Sequence, residues 1–120
     1  MSYYDELKRS MDYLGKNPKS KFLGQAVMDK GTAMTNTFKN VDKKKLIELP
    51  VAEEMQMGLT TGLIMQGFIP ISIYPRMNFL ILAINQLVNH LDKINEMTDN
   101  YYTSKAIIRT AVGSKKPLDP

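Results

Sequence analysis

The chain has 120 residues, 16 Lys+Arg against 12 Asp+Glu, a formal net charge of +4 and 43% hydrophobic residues. That length and balance fit one ordinary globular domain and exclude a disordered chain, because apolar residues are plentiful and net charge is small. With no cysteine and one histidine, a disulfide framework and a thiolate metal site are ruled out, and histidine-based metal chemistry nearly so.

The longest unbroken apolar run, residues 79–84, is far short of the ~20 residues of a membrane span. The first six residues lack a charged segment followed by an apolar one. The expectation is a soluble, cytoplasmic protein with no membrane contact. The basic clusters Lys43-Lys44-Lys45 and Lys115-Lys116 carry no interleaved aromatics. They read as solvated surface and not as a nucleic-acid interface.

In chain order, residues 5–14 place Leu7, Met11 and Leu14 on one helical face, with Gly15 where a C′ glycine belongs. Residues 16–19 form a turn, residues 22–27 a short strand, and residues 28–37 a loop. Residues 38–44 suit a short helix or turn, and residues 46–49 a buried strand stopped by Pro50. A helix follows over residues 52–66, closed by Gly67, then a strand over residues 70–74 ended by Pro75. Residues 78–94 read as the longest helix, with Phe79, Leu82, Ala83, Gln86, Leu87 and His90 at helical spacing. Residues 105–110 make a last strand, and residues 114–120 supply no closing element. This alternation argues for an α/β fold of parallel βαβ units. A parallel sheet needs both faces covered, so the domain reads as unfinished or completed by a partner.

Familiar catalytic patterns are mostly missing. Gly58 and Gly62 are not followed by the Lys-Ser or Lys-Thr of a phosphate loop. A Ser-His-acid triad would have to use His90, which reads as a structural residue on the apolar helix. The Gly58/Gly62 stripe reads as close helix packing, and the nine methionines as core filling. Glu53-Glu54 opens a helix, where carboxylates are favoured by ~0.3–1 kcal/mol. The same position, beyond the end of a strand, is also where open α/β sheets bind ligands.

Leu49-Pro50-Val51-Ala52-Glu53, then Gly58, Gly62, Gly67 and Pro70, then Asn78-Phe79 and Asn85-Gln86-Leu87-Val88-Asn89, form a recognisable series. It resembles the β subunit of thiamine-diphosphate-dependent 2-oxo-acid dehydrogenases, of which the pyruvate and branched-chain enzymes are familiar members. Phe22-Leu23-Gly24 and Ile108-Arg109 leading to Gly113 extend the likeness over most of the chain. The resemblance implies a parallel sheet flanked by helices, a transketolase-like pyrimidine-binding fold. Residues 1–120 would be a single domain, the N-terminal part of that fold in truncated form.

The resemblance further implies that Glu53 is the catalytic residue, bonded to the 1′ nitrogen of the cofactor's aminopyrimidine. Phe79 would stack on that ring and Val51 would line its pocket, whereas Glu54 matches no family position. It implies thiamine diphosphate shared with a partner α subunit, which holds the diphosphate and Mg²⁺ through a Gly-Asp-Gly…Asn segment. A heterotetramer acting on a 2-oxo acid follows. Three departures stand against it. Gln25-Ala26 replaces the acidic residue usual after the glycine of the first strand, which interrupts any proton relay there. The family's pocket histidine would fall beyond Pro120, as would the C-terminal domain. Two alternatives are therefore a non-catalytic interaction module that keeps the fold, and a subunit of a carboligase or transketolase-type enzyme.

Overall fold

A computed structural model describes residues 1–113 and Lys116. The expected tail at residues 114–120, with Lys115 of the second basic cluster, otherwise lies outside the described residues.

Helix α1 (Tyr3–Lys16) begins with a reciprocal cap. Asp5 N donates to Ser2 Oγ at 3.1 Å while Ser2 N donates to Asp5 Oδ2 at 3.0 Å. The helix runs past Gly15, so that glycine is not the terminator the spacing suggests. A Cβ there would sit 3.0 Å from Val41 Cγ2. Gly15 instead lets the segment around Val41 approach α1, and Asn17 takes over the C-cap by donating its N–H to Leu14 O.

Strands β1 (Ser20–Gly24), β2 (Leu46–Glu48), β3 (Ile69–Tyr74) and β4 (Ile107–Thr110) form one sheet, ordered β2-β1-β3-β4 and parallel throughout. The period of two divides the side chains between two cores. Phe22, Ile71 and Ile73 meet Met11 of α1 with Phe38 and Val41 on one face. Tyr74, with half-buried Ile108, meets Met57, Ile64, Leu80, Ala83 and Leu91 on the other. Both faces are thus covered, even in so short a chain. Two 3₁₀ turns, Thr35–Thr37 and Lys43–Lys45, punctuate the connection from β1 to β2. Strand β2 is an edge strand and only partly buried, unlike the buried strand its apolar residues suggest.

Helix α2 (Glu53–Met65) carries the chain from β2 across β1 to β3 and stops at Gly67, whose φ of +82° is a left-handed turn. The long helix expected over residues 78–94 is broken into pieces. These are α3 (Met77–Ile81), α4 (Ile84–Gln86), a π-helical turn at Leu87–Leu91 and α5 (Ile94–Met97). No proline or glycine lies in this segment, and its changes of pitch keep Leu80, Ala83, Leu91 and Ile94 buried together. The buried stripe runs beside the one read from the sequence: Leu82 is 62% exposed and His90 lies at the surface.

The Gly58/Gly62 stripe also differs from expectation. A Cβ on Gly58 would meet nothing closer than Gln86 Oε1 at 3.9 Å, and one on Gly62 nothing within 4 Å. These glycines make no close packing within the described chain.

Gly24 is the opposite case. Its φ is +155°, and a Cβ would lie 2.2 Å from the Ile73 carbonyl oxygen. Gly24→Ala is expected to lower the unfolding free energy by about 2–4 kcal/mol through overpacking and backbone strain. Urea denaturation of the two proteins measures it.

Candidate functional site

Strand β1 has β2 on one side and β3 on the other, so successive connections leave in opposite directions at its carboxyl end. In open parallel sheets that divergence is where a crevice forms. Four segments converge there: the end of β1 with its following loop, the end of β2, the first turn of α2 and the end of β3.

The loop after β1 is clamped from β2. Glu48 Oε1 accepts from Ala26 N at 2.6 Å and Glu48 Oε2 from Met28 N at 2.9 Å, while Leu49 N donates to Gly24 O at 2.9 Å. Ala26 takes a φ of +55° to complete the turn. The clamp brings Gln25 to α2, where Gln25 Nε2 donates to Glu53 Oε1 at 3.1 Å. Glu53 is the first residue of α2 and is 7% exposed. The helix N-terminus favours its negative charge. Oε2 carries no hydrogen bond within the described residues, yet it is not among their sealed, unpartnered oxygens. One oxygen of the carboxyl is held and the other is open.

A buried polar set fixes the base of α2. Gln56 Nε2 donates to Ile73 O at 3.0 Å and to Ser72 Oγ at 3.1 Å, and reaches Leu23 O at 3.5 Å. It thereby joins the helix to the ends of both β1 and β3. Tyr74 OH donates to the Glu53 carbonyl oxygen at 3.3 Å. Burial pushes the Tyr74 phenol up to about 12; a bond with Ser72 opposes the shift and the charge of Glu53 adds to it.

The other residues singled out by sequence take different positions. Glu54 is exposed and accepts from Asn85 Nδ2 at 3.1 Å, so the two adjacent glutamates are not equivalent. Val51, in the turn before α2, is 78% exposed. Phe79 sits half-buried on α3. His90 is exposed, and its Nδ1 lies 2.8 Å from Gln86 Oε1 one helical turn away. A hollow of about 290 Å³ opens beneath the loop from β1 to β2, walled by residues such as Val27, Phe38, Val41 and Leu46. Its wall includes none of Val51, Glu53 and Phe79. Among the described residues no group of three His, Asp or Glu could hold a metal ion.

Glu48, Gln56 and Tyr74 were not singled out by the sequence reading, though each carries a signal. Gln56 lies three residues after Glu53 and so near its helical face. Ser72 and Tyr74 alternate with Ile71 and Ile73, which sends a polar pair toward α2.

A four-stranded parallel sheet flanked by helices, with a buried carboxyl at its divergence point, defines the class: an α/β fold. No protein-family model matches the chain. Among curated proteins it is similar to the 2-oxoisovalerate dehydrogenase subunit beta of Bacillus subtilis (strain 168), 25% identical over 117 residues, covering 94% of this chain and 36% of that protein. It is also similar to pyruvate dehydrogenase E1 component subunit beta of Cyanidium caldarium, 28% identical over 123 residues, covering 98% of this chain and 37% of the relative. The corresponding subunit of Mesostigma viride is 23% identical over 119 residues, covering 96% and 36%. The chain thus resembles β subunits of 2-oxo-acid dehydrogenases while spanning a little over a third of their length.

The buried phenol gives a test of the base of this site. Unfolded tyrosine releases its proton near pH ~10, whereas Tyr74 keeps it up to about 12. Between those values the folded state holds the extra proton, so stability falls as pH rises, by up to ~1.4 kcal/mol per unit. Urea unfolding below and within that window is expected to show a steeper loss for the wild type than for Tyr74→Phe.

Proposed function

We propose that this chain is the aminopyrimidine-binding side of a thiamine-diphosphate-dependent enzyme that decarboxylates a 2-oxo acid. It would act with an α-type partner subunit as one pyrimidine-binding unit, in the cytoplasm. The observation that carries the reading is Glu53: a buried carboxyl at the sheet's divergence point, with one oxygen held by Gln25 and the other without a hydrogen bond among the described residues.

That donor set fits the pyrimidine end of the cofactor. A ring nitrogen needs one carboxyl oxygen able to give or share a proton, and Glu53 Oε2 offers it. The diphosphate–metal end finds no acidic cluster among the described residues, so the partner would supply those ligands. When bound, the cofactor supplies the carbon nucleophile and the electron sink for loss of carbon dioxide. The chain's residues position and control protons. Glu53 would hold a proton at Oε2 against the ring nitrogen. Phe79 would offer its ring as a stacking face, and Val51 would close the pocket once a partner covers it. Gln56 and Tyr74 keep the first turn of α2 from moving relative to β3.

Association is supported by the surface. Ile81, Leu82, Ile84 and Val88 are exposed on the segment after β3, and Gly62 leaves open space on α2. Apolar surface of this kind marks an interaction site. Sedimentation of the purified chain at micromolar concentration is expected to show self-association, relieved by a co-expressed α-type subunit; a stable, well-folded monomer counts against it.

Gln25 favours a second reading, a non-catalytic module that keeps the fold. An amide cannot pass a proton along, so no relay runs through this position. The decisive comparison is Glu53→Gln against Glu54→Gln in the complex with the partner. If Glu53 manages the cofactor's proton, its substitution should cost about 10²–10⁴ in decarboxylation rate with folding intact. Glu54→Gln, on the exposed Asn85 side, should leave the rate nearly unchanged. Equal and modest effects from both support the module.

A further inference from the structure

The Glu53 carboxyl has two oxygens with unlike surroundings, and the difference is made by one side chain. Gln25 Nε2 donates to Oε1 at 3.1 Å; Oε2 has no partner among the described residues. Gln25 has little freedom to do otherwise. The Glu48 carboxylate grips the backbone on its far side through Ala26 N and Met28 N. On its near side Gly24 is pressed against the Ile73 carbonyl and bonded to Leu49 N. A loop pinned at both ends thus delivers one amide to one carboxyl oxygen, across 28 residues of sequence.

From this geometry we infer that Gln25 is a positioning residue, which fixes the Glu53 carboxyl so that Oε2 alone faces a ligand's ring nitrogen. The inference rests on the reading that Glu53 receives an aminopyrimidine. An oxygen that accepts from an amide N–H is the carbonyl-type oxygen of a neutral carboxyl. Any proton on Glu53 therefore resides on Oε2, on the ligand side. The amide has no ionisation of its own, so it cannot draw that proton away. Gln25 converts a two-oxygen group with rotational freedom into a single, directed donor or acceptor. A carboxyl so fixed binds its partner without the ordering cost that a free rotor bears.

The experiment compares wild type with Gln25→Met, which keeps the length and loses the donor. The probe is 4-amino-2-methylpyrimidine at millimolar concentration, followed by nitrogen-15 and carbon-13 NMR on the full chain. In the wild type the Gln25 side-chain amide resonance is expected to move on adding the probe and also on substituting Glu53→Ala. Gln25→Met is expected to bind the probe about tenfold more weakly, ~1.4 kcal/mol, with its thermal midpoint unchanged. Equal affinity in the two proteins overturns the inference and leaves the proposed function standing. Weaker binding accompanied by a lowered midpoint overturns it as well, by showing a structural role. Absence of probe binding to the wild type overturns the inference, while the Glu53→Gln and Glu54→Gln comparison in the complex decides the proposed function separately.

Discussion

The contact on which the site depends is the approach of Gly24 to the carbonyl of Ile73. Parallel strands β1 and β3 run side by side to their carboxyl ends, and there the backbone of β1 must turn away without a side chain. Any Cβ would fall at 2.2 Å from the carbonyl oxygen. Because the turn is made at that residue, Gln25 lands against α2, and Ala26 and Met28 present their N–H groups to Glu48. A bulkier residue at the turn would displace the loop and separate Gln25 from Glu53.

The polar groups beneath α2 reinforce the same junction at some cost. Gln56 is fully buried and satisfies its amide protons on Ile73 O and Ser72 Oγ, but its Oε1 has no partner among the described residues. A buried unsatisfied acceptor costs about 1–3 kcal/mol. An apolar side chain would avoid that cost, yet it would leave the β3 carbonyl without this donor and loosen the helix. The arrangement trades stability for a fixed first turn, the usual direction of compromise where a side chain must be held in place. Tyr74 adds to the effect by tying the helix's first carbonyl to β3.

A second tension runs through the surface. Each face of the sheet packs against other segments of the chain. Even so, large apolar side chains of α3, α4 and the π-helical turn remain exposed, and Gly62 of α2 leaves room for another backbone. The chain spans little more than a third of the relatives it resembles. Val51, in the turn before α2, is exposed in the same way.

The sequence by itself determined the order of elements, their parallel arrangement and the placement of Glu53 at a helix start beyond a strand. These are local or short-range properties: alternation within residues 69–74, the dipole preference at the first turn, and the glycine at residue 67. It also determined the resemblance, which the comparisons with known β subunits bear out. Only the tertiary structure decided that Gly15 is a packing glycine, that the segment after β3 is broken, and that Gly62 faces open space. It alone set Glu53 apart from Glu54, by giving one a half-buried amide donor and the other a surface asparagine. The reason is the distance along the chain between the partners. Gln25 and Glu53 are 28 residues apart, and Glu54 and Asn85 are 31 apart. Such pairs exist only after the sheet has closed, and no periodicity or propensity read along the chain encodes them.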